Sequence, residues 1–144
     1  MKNCIGFRAD RTLGRKNGGV ITYIKATEEV DAEELIAKSN SYLQYQLIYM
    51  QKRNIVIIDV YRPPDCPTEK FISPLNELKT KQIKIGNPMP TIIFTGDLNF
   101  PIIDWQMETA DGGNTWKSGS NKYLLQFAQE QCLQQYIEET ARKK

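Results

Sequence analysis

The segment Thr95-Gly96-Asp97-Leu98-Asn99 carries the sharpest chemistry in the chain, a carboxylate and a carboxamide two residues apart. It follows directly on Thr91 to Phe94, whose β-branched and aromatic composition is that of a buried strand. The pair therefore stands where a chain leaves the carboxyl edge of a sheet, the edge at which ligands of α/β proteins bind. On an extended segment Asp97 and Asn99 can share one side, the carboxylate turned to a water or metal and the carboxamide to a phosphate oxygen. Taken alone, Gly-Asp-Leu-Asn reads first as a turn, since turns favour these residues for backbone reasons.

A second group, Val60-Tyr61-Arg62-Pro63-Pro64, ends another strand with a phenol and a guanidinium and stiffens its exit with two prolines. A tyrosine hydroxyl can hydrogen-bond a phosphate oxygen and an arginine can clamp one bidentately. A tyrosine and a proline pair at a strand end also serve as plain packing.

The elements that must position these groups follow from composition and period. Val20 to Ile24, after a Gly-Gly turn, reads as a half-buried strand, and Leu43 to Met50 as the next. Ile55 to Ile58 is a continuous β-branched run, expected of a strand buried on both faces and finished by Asp59 and Val60. Gln51-Lys52-Arg53-Asn54 makes the hairpin connection before it. Phe71, Leu75, Leu78 and Gln82 recur at helical spacing, with Ser73-Pro74 able to open the helix or an earlier start near Thr68. A second helix is expected from about Ser120 to Gln131, with Tyr123, Leu124 and Phe127 toward a core. Three strands, a helix, a strand and a helix define a mixed α/β domain over residues 1–144.

Composition narrows the function. The net charge of +2 is too small to argue for a nucleic-acid partner, but residues 1–25 hold Lys2, Arg8, Arg11, Arg15, Lys16 and Lys25 against Asp10 alone. The plainer account is a solvated surface stretch, offset by Glu28, Glu29, Asp31, Glu33 and Glu34. Histidine is absent, which excludes Ser/His and Cys/His hydrolases, HExxH metalloproteases and most zinc sites. Cys4, Cys66 and Cys132 form no CxxC pair and suit a reducing, intracellular setting, nuclear or cytoplasmic. No signal-peptide core and no run long enough to span a bilayer is present, so no membrane partner is expected.

In order and spacing, Phe7-Arg8-Ala9-Asp10-Arg11, Gly18-Gly19-Val20, Tyr61-Arg62-Pro63-Pro64, and Gly96-Asp97-Leu98-Asn99-Phe100-Pro101 with Asp104-Trp105 resemble the endonuclease/exonuclease/phosphatase superfamily. Within it the chain looks most like the endonuclease of non-LTR retrotransposons, over nearly its whole length. Leu124 to Phe127 resembles that family's helix, Leu133 to Ile137 the strand after it, and Thr140-Ala141-Arg142 a degraded Pro-Thr-Arg signature.

The resemblance implies a deoxyribonuclease I-like four-layer α/β/β/α sandwich and Mg²⁺-dependent nicking of double-stranded DNA. Tyr61 would contact the scissile phosphate, Arg62 would bind substrate, Asp97 would position or deprotonate the attacking water, and Asn99 would hold phosphate and water in line. A complete member carries two earlier strands bearing an Asn and the metal-binding Glu, and later a Ser-Asp-His segment. The expectation is therefore a partial sandwich lacking its first and last strands. Such a chain has no assignable metal ligand, Mg²⁺ weakly held by Asp97 alone, little nuclease activity and marginal stability. Two alternatives stand beside it: a non-catalytic remnant binding nucleic acid weakly through its basic segment, and a phosphatase-type member of the same superfamily.

Overall fold

The computed structural model describes residues 3–10, 19–26, 31–40, 42–83, 85, 88–100, 103 and 115–136. The chain divides into two compact units, Met1–Asn99 and Phe100–Lys144. Arg11, Arg15, Lys16, Glu28, Glu29, Asp104, Trp105, Ile137 and Thr140 to Arg142 lie outside the described residues.

The first unit contains two sheets. Strands β1 (Cys4–Asp10) and β2 (Gly19–Lys25) pair antiparallel. A four-stranded sheet runs β3 (Ala32–Ser39), β4 (Gln44–Met50), β5 (Ile55–Tyr61) and β6 (Thr91–Asp97), antiparallel except for the parallel β5–β6 pair. Helix α1 (Thr68–Ile83) connects β5 to β6, the crossover that a parallel pair requires. The architecture is mixed α/β, with two strands more than the composition reading gave.

Those two extra strands are β1 and β3. In β1 Phe7 and Ala9 turn inward between exposed Gly6, Arg8 and Asp10, a period of two beneath the basic charge, while Ile5 on the same face as Phe7 remains exposed. In β3 a register shift between Glu34 and Ile36 interrupts the alternation, as a bulge does on an edge strand. Part of the acidic run read as a solvated stretch is thus the exposed side of a strand.

Register sorts the four-stranded sheet into two faces, because paired residues share a side. Ile48, Met50, Ile55 and Ile57 face the small sheet and form a core with Ile24 and Phe7. On the opposite face Leu47, Val56, Ile58 and Val60 are fully buried. There Glu77 of α1 is held by Lys38 and by the Tyr45 hydroxyl. The Lys38 hydrogen bond is the main cause that holds the Glu77 carboxyl below the usual range, and burial with the Glu77 hydrogen bond raises the Tyr45 phenol.

Helix α1 begins at Thr68 and not at Ser73-Pro74, and Pro74 lies inside it. The Pro67 carbonyl accepts from the N–H groups of Lys70 and Phe71 at 3.1 and 3.3 Å, which fixes the first turn ahead of the proline. Phe71, Leu75 and Leu78 are fully buried, and burying Phe71 offsets the hydrogen bond that Pro74 removes.

Strand β6 runs through Asp97, and it is largely exposed where a buried strand was expected, with Ile93 46 % accessible. The small sheet covers β3, β4 and β5, and among the described residues β6 has a neighbouring strand on one side only. Its apolar residues therefore lie at a sheet edge.

The Gln51 to Asn54 turn joins β4 to β5 as expected. Asn54 adopts φ 50°, its N–H donates to Gln51 O at 3.0 Å, and its Nδ2 donates to Pro88 O at 3.1 Å. Asn54→Ala is expected to cost about 1–2 kcal/mol in urea unfolding, through the left-handed conformation and the lost side-chain bonds. Asn54→Gly keeps the conformation and should recover part of that loss; equal costs for both would rule out a conformational contribution.

The second unit contains α2 (Thr115–Glu130), in which Leu124, Phe127 and Ala128 are buried at helical spacing while Tyr123 is half-buried. Residues 133–136 form no strand, contrary to the resemblance. Gln131 and Cys132 make a turn, with Cys132 at φ 52° and the Leu133 N–H donating to Ala128 O at 2.8 Å, a bond that ends the helix. Among the described residues no helix is long and apolar enough to cross a membrane.

Candidate functional site

The parallel register of β5 and β6 pairs Tyr61 with Asp97 at the carboxyl ends of both strands. Val60 pairs with Gly96 and Asp59 with Thr95, so Tyr61, Asp97, Asp59 and Thr95 share one face. Asp97 is exposed and Tyr61 half-buried. A phenol and a carboxylate 36 residues apart in sequence are thus neighbours on an open edge.

Asn99 reaches this place by a different route from the one expected. It has φ 50°, and its N–H donates to Asp97 Oδ1 at 3.3 Å, a turn closed by an aspartate side chain. Asp97 and Asn99 therefore do not share one side of an extended segment. The strand ends at Asp97, the chain turns, and Asn99 Nδ2 donates to Arg62 O at 2.8 Å.

Arg62 is what holds that turn. Its N–H donates to Asp97 O at 2.8 Å, extending the parallel ladder by one bond. Its guanidinium donates to Leu98 O at 3.4 Å, Asn99 O at 3.2 Å and Cys66 O at 3.1 Å, and lies 5.6 Å from the centre of the Phe71 ring. Only 7 % of the residue is accessible. Burial lowers the pKa of this guanidinium and raises that of the Cys66 thiol, yet an arginine remains charged in a protein. The guanidinium faces the interior and braces the loop that carries Asn99, away from the solvent where a phosphate would meet it.

Asp59 does more than end a strand. It is 8 % accessible, on the same face as Tyr61, and accepts from the Thr22 hydroxyl at 2.9 Å and from Gln46 Nε2 at 3.3 Å. The signal in the sequence was a lone carboxylate inside the β-branched run 55–60.

For Mg²⁺ the exposed end offers the Asp97 carboxylate, one oxygen of which takes the Asn99 N–H, with neutral oxygens on Tyr61 and Asn99. An ion that keeps several of its waters and takes one or two carboxylates fits such a set through Asp97. No protein-family model and no curated protein matches the chain.

Proposed function

We propose that this chain carries the phosphate-handling end of a Mg²⁺-dependent phosphodiesterase of the deoxyribonuclease I-like type, with double-stranded DNA as substrate. The observation that carries the proposal is the juxtaposition of Tyr61 and Asp97 at the carboxyl ends of adjacent parallel strands. The α/β/β/α sandwich that goes with it is supported by two facing sheets and by α1 on the outer face of the larger one. The nicking endonuclease of a non-LTR retrotransposon is the member whose motifs these residues resemble.

Phosphodiester cleavage needs an activated water and relief of the charge that accumulates on the phosphate. Asp97 orients that water and takes its proton, and the Tyr61 hydroxyl donates to a phosphate oxygen. Asn99, anchored through one carboxamide N–H to the Arg62 carbonyl, has a second N–H and Oδ1 for the phosphate and the water. Arg62 positions Asn99 from beneath. Mg²⁺, when bound, neutralises phosphate charge; Asp97 is the residue to hold it, and a single carboxylate holds it weakly.

Nicking of supercoiled plasmid tests the proposal. The chain by itself is expected to nick no faster than its Asp97→Ala form. Joined to the flanking strands of a retrotransposon endonuclease, it is expected to nick with Mg²⁺ and to slow by about 10²–10⁴-fold on Asp97→Ala. An extended chain that folds but leaves the plasmid intact, or that nicks equally well without Asp97, overturns it.

A further inference from the structure

The face of the large sheet that meets the small one changes character along the strands. At one end it is the apolar core around Ile48 and Ile24. At the other, two rows cross the sheet in register. One is Ser39, Gln44, Tyr61 and Asp97; the other is Ala37, Gln46, Asp59 and Thr95. Gln44 and Gln46 have no accessible surface.

Within these rows the donors are spent and the acceptors are not. Gln46 Nε2 donates to Thr22 Oγ1 at 2.7 Å, and Gln44 Nε2 to Asn40 O at 2.7 Å. Their two carboxamide oxygens and the Ser39 hydroxyl are buried with no hydrogen-bond partner among the described residues. Beside them the buried Asp59 carboxylate is met by a neutral hydroxyl and a neutral amide. Buried acceptors are normally satisfied, and a buried carboxylate normally has a cationic partner.

We propose that Gln44, Gln46 and Asp59 form an intersheet site for a hard cation. Two neutral carboxamide oxygens and one carboxylate are the all-oxygen donor set that such ions take, with water completing the shell. The cation satisfies both orphaned oxygens and neutralises Asp59 at once. Successive same-face residues lie about 7 Å apart along a strand, so Gln46 and Asp59 lie one step inward from Tyr61 and Asp97, with Gln44 in the row of Tyr61. It is a different site from any ion held by Asp97 and does not depend on phosphate chemistry there.

Thermal unfolding of the whole chain in MgCl₂, CaCl₂, NaCl and KCl, matched for ionic strength with choline chloride, tests the site. Calorimetric titration of the same salts accompanies it. Saturable binding is expected, with Tm raised by about 10 °C at a hundredfold excess over Kd, and the salt that acts distinguishes a divalent from a monovalent occupant. Asp97→Ala should keep the response, whereas Asp59→Asn and Gln46→Met should lose it. Gln46→Glu, which adds a second carboxylate, should tighten binding at least about tenfold. Should Asp59→Asn fail to fold, Gln46→Met and Gln46→Glu decide. The site is refuted by a Tm indifferent to all four cations, by a response that follows Asp97 and not Gln46, or by a Gln46→Glu chain that is destabilised and unresponsive to cations.

Discussion

Gly96→Ala is expected to lower the free energy of unfolding by at least about 3 kcal/mol, read from the urea midpoint. Gly96 has φ 123°, a conformation that residues with a side chain rarely adopt, and a Cβ placed there would lie 1.9 Å from Val60 O. That oxygen belongs to the backbone of β5 and cannot swing away as a side chain would. Relief comes only by parting β6 from β5, which also separates Asp97 from Tyr61. Gly6→Ala is the matched control, because its new Cβ meets only the Tyr23 ring, at 3.3 Å. A Gly96→Ala chain within 1 kcal/mol of the parent would mean that β6 is not seated on β5 at this point.

The second large effect is expected at Arg62. Arg62→Met retains much of the apolar stem but leaves the Leu98, Asn99 and Cys66 carbonyls without their charged donor, and should cost about 3 kcal/mol in the same measurement. Arg62→Lys should recover little, because an ammonium cannot reach two separated groups of acceptors as a planar fork does. A lysine variant as stable as the parent would show that charge alone matters here, and that the bracing of residues 97–99 has another source.

These two positions show what the sequence disclosed and what it withheld. Runs of β-branched residues announced β2, β4 and β5, and the Gln51 to Asn54 turn announced the hairpin, because in each case burial or turn chemistry is written in adjacent residues. β3 was hidden because its Leu35 bulge spoils the period of two and its outward residues are charged. β6 looked buried because Ile92, Ile93 and Phe94 are apolar, while accessibility at an edge depends on which strands lie beside it. The placement of Asp97 and Tyr61 at strand ends was legible from the strands they close. The inward turn of Arg62 was not, since two of the three carbonyls its guanidinium meets lie 36 and 37 residues further along the chain. Asp59 could have been found as the one charge in an apolar run, but its partners come from two other strands.

The parallel β5–β6 pair has a consequence for the order in which the molecule assembles. β4 and β5 meet across a four-residue turn, a closure with little entropic cost, whereas β6 must wait for the whole of α1 to fold back. The strand that docks late also has one neighbour among the described residues and largely exposed side chains, and such elements open most readily in the native state. The Tyr61–Asp97 pairing is therefore expected to form after the hairpin and to open before it, read as faster amide exchange in β6 than in β4. Local unfolding at this edge can dismantle the candidate site while the rest of the sheet remains folded.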